Sequence, residues 1–180
     1  LWSASLAAFE AKDIFLQLVD YSKGADGNPG PCTADQVMYV VTEPADYSLQ
    51  DFLAVRQQFR NDLSLSEVRE IGRAVVAALA GLHAKGLVHM DIKPENMMMM
   101  GGRWKMIDVD GCIRIGKQVS IKDASISFSP CYCAPEWATF LIDDEHDFFA
   151  IAPGLDVWSV GMTLAELVTR EAILKPKYVS

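Results

Sequence analysis

Along this chain the spacing of apolar residues changes from helical to alternating to continuous, and each change marks an element. The clearest stretch lies mid-chain. Val68, Ile71, Val75, Ala78, Leu79 and Leu82 recur at i, i+3/i+4 behind Ser64-x-x-Glu67, a capping box. This predicts a helix through about Ala84, ended by Gly86. Upstream, residues 1–11 (LWSASLAAFEA) carry Leu6 and Phe9 at helical spacing, and residues 14–19 (IFLQLV) read as a buried strand. Residues 23–32 are dense in Gly, Pro, Asn and Asp and predict a long turn. Residues 37–41 predict a second strand running into a polar turn over residues 42–46, and Ser48 opens a short helix. Downstream, Met97–Met100 and residues 104–108 flank Gly101-Gly102, which predicts a β-hairpin. The stretch from Asp108 to Ser129 reads as irregular, and residues 155–169 form an apolar helix around Trp158, Leu164, Leu167 and Val168.

Between the long helix and the hairpin lies Val88-His89-Met90-Asp91-Ile92-Lys93-Pro94-Glu95-Asn96. Pro94 breaks a regular helix and biases Lys93 toward extended backbone, so Asp91, Lys93 and Asn96 sit on a loop. The hairpin returns Asp108 beside Asn96, gathering four polar side chains at one sheet edge. Such a set suits phosphoryl transfer. A carboxylate (Asp91) can take the proton of a hydroxyl nucleophile, oxygen donors (Asn96, Asp108) suit Mg²⁺, and a lysine (Lys93) can neutralise the transferred group. The plainer alternative is a polar turn whose Asp and Asn cap backbone groups.

His89-x-Asp91-x-Lys93-x-x-Asn96 followed by Ile107-Asp108-x-x-Gly111 resembles the catalytic and metal-binding loops of eukaryotic protein kinases, in the serine/threonine form. Ser129-Pro130, Ala134-Pro135-Glu136 and Asp156-x-Trp158-Ser159-x-Gly161 extend the resemblance over most of the chain from about Tyr39. It implies an α+β, protein-kinase-like fold, mainly the helical large lobe with a remnant of the β small lobe. Residues 1–42 would be that remnant, 43–47 the hinge and 48–180 a truncated large lobe. It also implies ATP and Mg²⁺ as cofactors and a protein substrate with a Ser or Thr hydroxyl. Asp91 and Lys93 would be catalytic, and Asn96 and Asp108 would hold metal. Thr42 would be the gatekeeper, the main chain of Glu43 and Ala45 would bond the adenine, and Met98 would complete the nucleotide site. Ser129 would contact Asp91 and Lys93. Asp156 would accept bonds from the catalytic-loop backbone, where a helix N-cap is the competing reading.

The sequence also departs from that pattern. No G-x-G-x-x-G occurs, and neither Lys12 nor Lys23 stands where the phosphate-anchoring lysine would. The chain therefore reads as a domain incomplete at both ends and inactive by itself, with its last helix exposing apolar surface and promoting aggregation. Met90 replaces the Arg that grips a phosphorylated activation segment, which weakens the expectation of control through Ser120, Ser125 or Ser127. Asp108-Val109-Asp110 replaces Asp-Phe-Gly, making Val109 a smaller hydrophobic plug near His89 and adding a carboxylate at Asp110.

Composition narrows the partners. At 51% hydrophobic the 180 residues can bury a core, and a net charge of −8 argues against nucleic acid. No run reaches the roughly 18 apolar residues of a membrane span. Residues 1–9 lack the basic start of a signal peptide. Cys32, Cys112, Cys131 and Cys133 form no C-x-x-C pair, which favours free thiols in a reducing, cytoplasmic compartment. His83 and His146 show no ligand spacing and read as structural or surface residues; Asp143, Asp144, Glu145 and Asp147 read as a solvated acidic loop. Three functions follow in order: a protein serine/threonine kinase core, a pseudokinase or scaffold, and a small-molecule kinase of the aminoglycoside or choline type. The last shares H-x-D-x-x-x-x-N and I-D-x-D but needs no peptide-docking Ala-Pro-Glu segment.

Overall fold

In a computed structural model, the structure describes residues 10–120, 122, 126–142 and 146–175. A one-turn helix α1 (Ala11–Ile14) precedes an antiparallel pair, β1 (Leu18–Tyr21) and β2 (Val40–Thr42). Next come β3 (Tyr47–Ser48), α2 (Leu49–Gln58), the long α3 (Leu65–Ala84) and β4 (Leu87–Val88). The hairpin β5 (Met97–Met100) and β6 (Arg103–Met106) follows, then β7 (Ile113–Arg114) and β8 (Gln118–Ser120). The last elements are α4 (Pro135–Ile142), β9 (Phe148–Ala150) and α5 (Gly154–Thr169).

Helix α3 is where the sequence expects it, for the expected reasons. Ser64 Oγ accepts the Glu67 amide at 3.3 Å and Glu67 Oε2 accepts the Ser64 amide at 2.7 Å, so two otherwise orphan donors are satisfied. Gly86, at φ 72°, turns the chain away beyond its C-terminus. Helix α2 starts the same way, with Ser48 and Asp51 exchanging backbone bonds at 3.0 Å. The apolar stripe of α3 meets α2, the β5–β6 hairpin and α5 in the main core, which includes Leu53, Ile71, Val75, Met97, Met106 and Leu167. A second core of Val88, Met90, Ile113, Val119, Trp137, Phe140, Ile151 and Leu155 lies beneath β7, β8 and α4. The β5–β6 hairpin pairs Met97 with Met106 and turns through Gly101 and Gly102, both at positive φ, as a tight hairpin requires.

Several expectations need correction. Ile14 belongs to α1 rather than to a strand, and it is buried because Gly81 on α3 has no side chain to hold it off. The strand begins only at Leu18 and is not buried: Leu18 and Val19 are 59% and 65% exposed, because among the described residues β1 pairs with β2 and no second layer covers it. The partner strand starts at Val40 instead of residue 37. The Tyr39 amide is spent on Ser22 Oγ (3.0 Å) and the Val37 carbonyl on the Cys32 amide (2.9 Å). The stretch after Asp108 is not irregular throughout, since β7 pairs with β4, and β8 zips to β9 with Val119 opposite Phe149. The proposed helix over residues 1–11 falls outside the described residues except for its end, where Ala11 opens α1. Asp143, Asp144 and Glu145 also lie outside them, as does Ser125.

Candidate functional site

Two buried anchors shape the loop between β4 and β5. Asp156, on the first turn of α5 and fully buried, accepts the His89 amide at 2.8 Å and the Met90 amide at 2.9 Å. His83 Nε2 donates to the same carboxylate at 3.0 Å. The N-cap position belongs to Pro153, so Asp156 holds the loop backbone and does not cap its own helix. His89 Nε2 in turn donates to the Ile107 carbonyl at 3.1 Å, tying the loop to the segment that carries Asp108. Met90 sits at φ 73° with its side chain in the second core, and this left-handed residue reverses the chain before Asp91.

Asp91, Lys93, Asn96 and Ser129 come together around that reversal. Lys93 is extended (φ −160°) ahead of Pro94, which opens a 3₁₀ turn over Pro94–Asn96. Lys93 Nζ donates to Asp91 Oδ2 at 2.6 Å and to Ser129 Oγ at 2.7 Å. Asn96 Nδ2 donates to the Asp91 carbonyl at 2.9 Å, which leaves its amide oxygen as the acceptor end. Asp91 is only 6% exposed, and its Oδ1 is buried with no hydrogen-bond partner among the described residues. A buried acceptor in that condition costs free energy unless something arrives to use it.

Asp108 stands next to this group, because the Ile107 amide donates to the Asn96 carbonyl at 3.0 Å. Its carboxylate is exposed and its backbone is left-handed, at φ 61° and ψ 41°. Outside glycine that conformation costs roughly 1–2 kcal/mol and concentrates at functional sites. Val109 does not plug a hydrophobic stack: it is 40% exposed in a 3₁₀ turn over Val109–Gly111 and belongs to neither core. Among the described residues no three His, Cys, Asp or Glu side chains converge on a metal position.

Thr42, Glu43 and Ala45 lie at the end of β2 and in the segment after it, and Met98 lies on β5. Thr42 ends β2 opposite Leu18 and is exposed, as is Ala45. The Glu43 amide donates to the Gln17 carbonyl at 3.1 Å, so its own carbonyl is the main-chain group left for a ligand. The Asp46 amide donates to the Met99 carbonyl at 2.8 Å, and half-buried Met98 lies between Ser48 and Lys105 in register.

Two contacts here escaped the sequence reading. Lys105 Nζ reaches both Glu43 oxygens, at 2.7 and 2.8 Å. Burial pushes the Glu43 carboxyl upward, but the hydrogen bonds from Lys105 and the Gln17 amide, with the Lys105 charge, hold it below its usual range. Tyr132 Oη donates to Glu166 Oε2 at 2.6 Å in the interior. Burial raises the Glu166 carboxyl and nearby Glu95 adds to that, against the Tyr132 bond and a more distant Lys175. Their partners are 62 and 34 residues apart, so no local pattern joins them; the one sequence signal is a charge set within an apolar run. Burial, then Asp156, Asp110 and Asp108, push the Cys112 thiol to about 11, which keeps it protonated at neutral pH.

Comparison with known proteins adds the following. The family model described as protein kinase domain matches residues 29–179. Serine/threonine-protein kinase PAK 4 of Mus musculus is 31% identical over 58% of this chain, and serine/threonine-protein kinase STE20 of Kluyveromyces lactis is 28% identical over 61%. The chain spans 16% of the first protein's length and 10% of the second's. Among solved structures, the yeast RNA Pol II CTD kinase CTDK-1 complex superposes at a TM-score of 0.69 with 17% identity, covering 95% of this chain and 49% of that one.

Proposed function

This chain belongs to the protein kinase domain family, and from that premise we propose that it carries the phosphoryl-transfer site of an ATP- and Mg²⁺-dependent serine/threonine protein kinase. One observation carries the reading. Asp91 offers a buried, unpartnered Oδ1 while Lys93 pins its Oδ2, so a substrate hydroxyl finds an acceptor already oriented for its proton. Lys93 stands between Asp91 and Ser129 as the cation that steadies a transferred phosphoryl group. Mg²⁺ would take the Asn96 amide oxygen, left as an acceptor by the bond from Nδ2 to the Asp91 carbonyl, and the exposed Asp108 carboxylate. Its remaining positions would go to nucleotide and water oxygens, which is how this small, hard ion is usually held. The bound metal supplies charge neutralisation of the phosphates. Thr42, the Glu43 carbonyl, the Ala45 amide and Met98 form the adenine side in this reading, with residues 43–47 as the hinge between a small-lobe segment and the large lobe.

The test is phosphate transfer to Ser/Thr peptides by the full-length gene product, wild type against Asp91→Asn. We expect transfer to fall by about 10²–10⁴-fold, with the melting temperature little changed. Equal transfer by both proteins removes Asp91 from the chemistry. The exposed Val109 and the carboxylate of Asp110 favour one second reading, a binding module that uses the same site without transfer. Nucleotide binding without any transfer by the wild type establishes that reading instead.

A further inference from the structure

We propose that Phe149, on the strand between α4 and α5, is a positioning residue that holds Ser129 against Lys93 through a stack of aromatic rings; this rests on the reading of the site given above. The stack is continuous. The Phe149 ring meets Trp137 edge to face with centroids 5.3 Å apart, and its centroid lies 5.2 Å from that of Phe140. Trp137, on α4 and 3% exposed, meets Phe128 edge to face at 6.2 Å. Phe128 directly precedes Ser129, whose Oγ accepts Lys93 Nζ at 2.7 Å, and the same Nζ donates to Asp91 Oδ2. Close-packed rings pass a displacement on rather than absorb it, so a shift of Phe149 reaches Ser129.

Backbone pairing fixes where Phe149 stands. β9 runs antiparallel to β8 with Phe149 opposite Val119. The pairing continues past both strands, with the Gly116 amide donating to the Ile151 carbonyl at 2.8 Å and the Ile151 amide to the Lys117 carbonyl at 3.0 Å. Val119, Ile151 and Met90 share the second core, so the residue before Asp91 packs into the same cluster. Met90 brings an apolar side chain to the position where the family has an Arg, so packing does the holding there. Beyond Ile151 the chain runs through Pro153 into α5, where Asp156 holds the His89 and Met90 amides. One stretch, residues 148–156, therefore fastens both halves of the site. Its carboxylate holds the loop bearing Asp91, and its ring holds the segment bearing Ser129.

The experiment compares wild type, Phe149→Ala and Phe149→Tyr in the full-length gene product, by amide hydrogen exchange and by steady-state transfer from Mg-ATP to a Ser/Thr peptide. The Tyr132 amide, which donates to the Ser129 carbonyl at 3.0 Å, reports on the segment without any need for activity. We expect Phe149→Ala to speed exchange at the Val119 and Tyr132 amides about tenfold, the scale of the ring contacts it loses, while the α3 amides stay protected. The kcat should fall about tenfold with KM for Mg-ATP unchanged, because Lys93 and Ser129 act on the transferred group. Phe149→Tyr keeps the ring and should restore both readouts. Unchanged exchange at Tyr132 in Phe149→Ala overturns the proposal, and so does acceleration that extends to α3, which reports a general loosening of the fold. Faster exchange at Tyr132 with kcat unchanged removes the positioning role as well. Should Phe149→Ala not fold, Phe149→Leu, which keeps apolar bulk without the ring, is read by the same criteria. If the wild type transfers no phosphate, the transfer reading falls, and the exchange comparison alone decides whether Phe149 orders the Ser129 segment.

Discussion

Glu166 shows how a single buried carboxyl constrains the rest of the site. Burial first, and Glu95 as well, lift its folded-state pKa above the ordinary 4.5, against the opposing bond from Tyr132. A carboxyl raised in this way favours the folded state most below pH 4.5, and that contribution is lost as pH rises through the folded value. Glu166→Gln keeps an acceptor for Tyr132 and removes the titration. Its melting temperature relative to wild type should therefore climb as pH increases from 4.5 toward neutral. Thermal melts across that range check this, and a pH-independent difference refutes it. At this scale the sequence was legible where chemistry is local: Asp91, Lys93, Asn96 and their neighbour Asp108 come from one loop and the hairpin beside it. The Lys93 bond to Ser129 spans 36 residues and was available only through the family resemblance. Lys105 with Glu43, and Tyr132 with Glu166, were not legible, since each pairing is made by the fold and leaves no spacing to read.

Among elements, α5 matters to the site through one residue. Asp156 satisfies two buried backbone amides of the loop and the half-buried His83 ring. Asp156→Ala orphans two buried amides and frees the half-buried His83 ring, and we expect a loss of at least about 2 kcal/mol, since each stranded buried donor costs roughly 1–3 kcal/mol. Urea denaturation measures the loss, and faster hydrogen exchange at the His89 and Met90 amides places it in the loop. Ser64→Ala is a milder test at the other end of the scaffold. It removes the cap of α3 and should cost about 1 kcal/mol, with the denaturation slope unchanged. Helix α3 was readable because cap, periodicity and terminating glycine agree. Helix α1 was not, since a single turn followed by apolar residues carries the same signal as a strand. The early start assigned to β2 failed for a related reason: apolar, β-branched composition marks residues suited to a strand, while loop bonds to Ser22 and Cys32 decide where pairing begins.

Across the whole molecule, apolar side chains remain outside on several elements. Val157, Trp158 and Val168 are exposed on α5, Ile142 on α4, Phe148 on β9, and Leu18, Val19 and Val40 on the β1–β2 pair. A net charge of −8 opposes association, but dispersed repulsion is screened at physiological salt while the attraction between exposed apolar side chains is not. We expect the 180-residue chain to self-associate at micromolar concentration and to bind a hydrophobic dye. Sedimentation velocity checks this, and a monomer that binds no dye overturns it. Among the described residues no helix is long and apolar enough to cross a membrane. The arrangement of two cores joined by the Asp156-anchored loop was beyond periodicity alone, because it depends on which apolar faces meet.

Strand β5 is four methionines in succession, and that places oxidisable sulfur beside the loop chemistry. Met97 and Met100 are sealed in the core, whereas Met98 and Met99 are half-buried. Peroxide therefore attacks the inner part of the hairpin last and the two half-covered thioethers first. A sulfoxide at Met98 sets a polar, stereogenic group against Lys105 and Ser48, so once the more exposed Met38 has reacted, oxidation reaches the strand next to the candidate site.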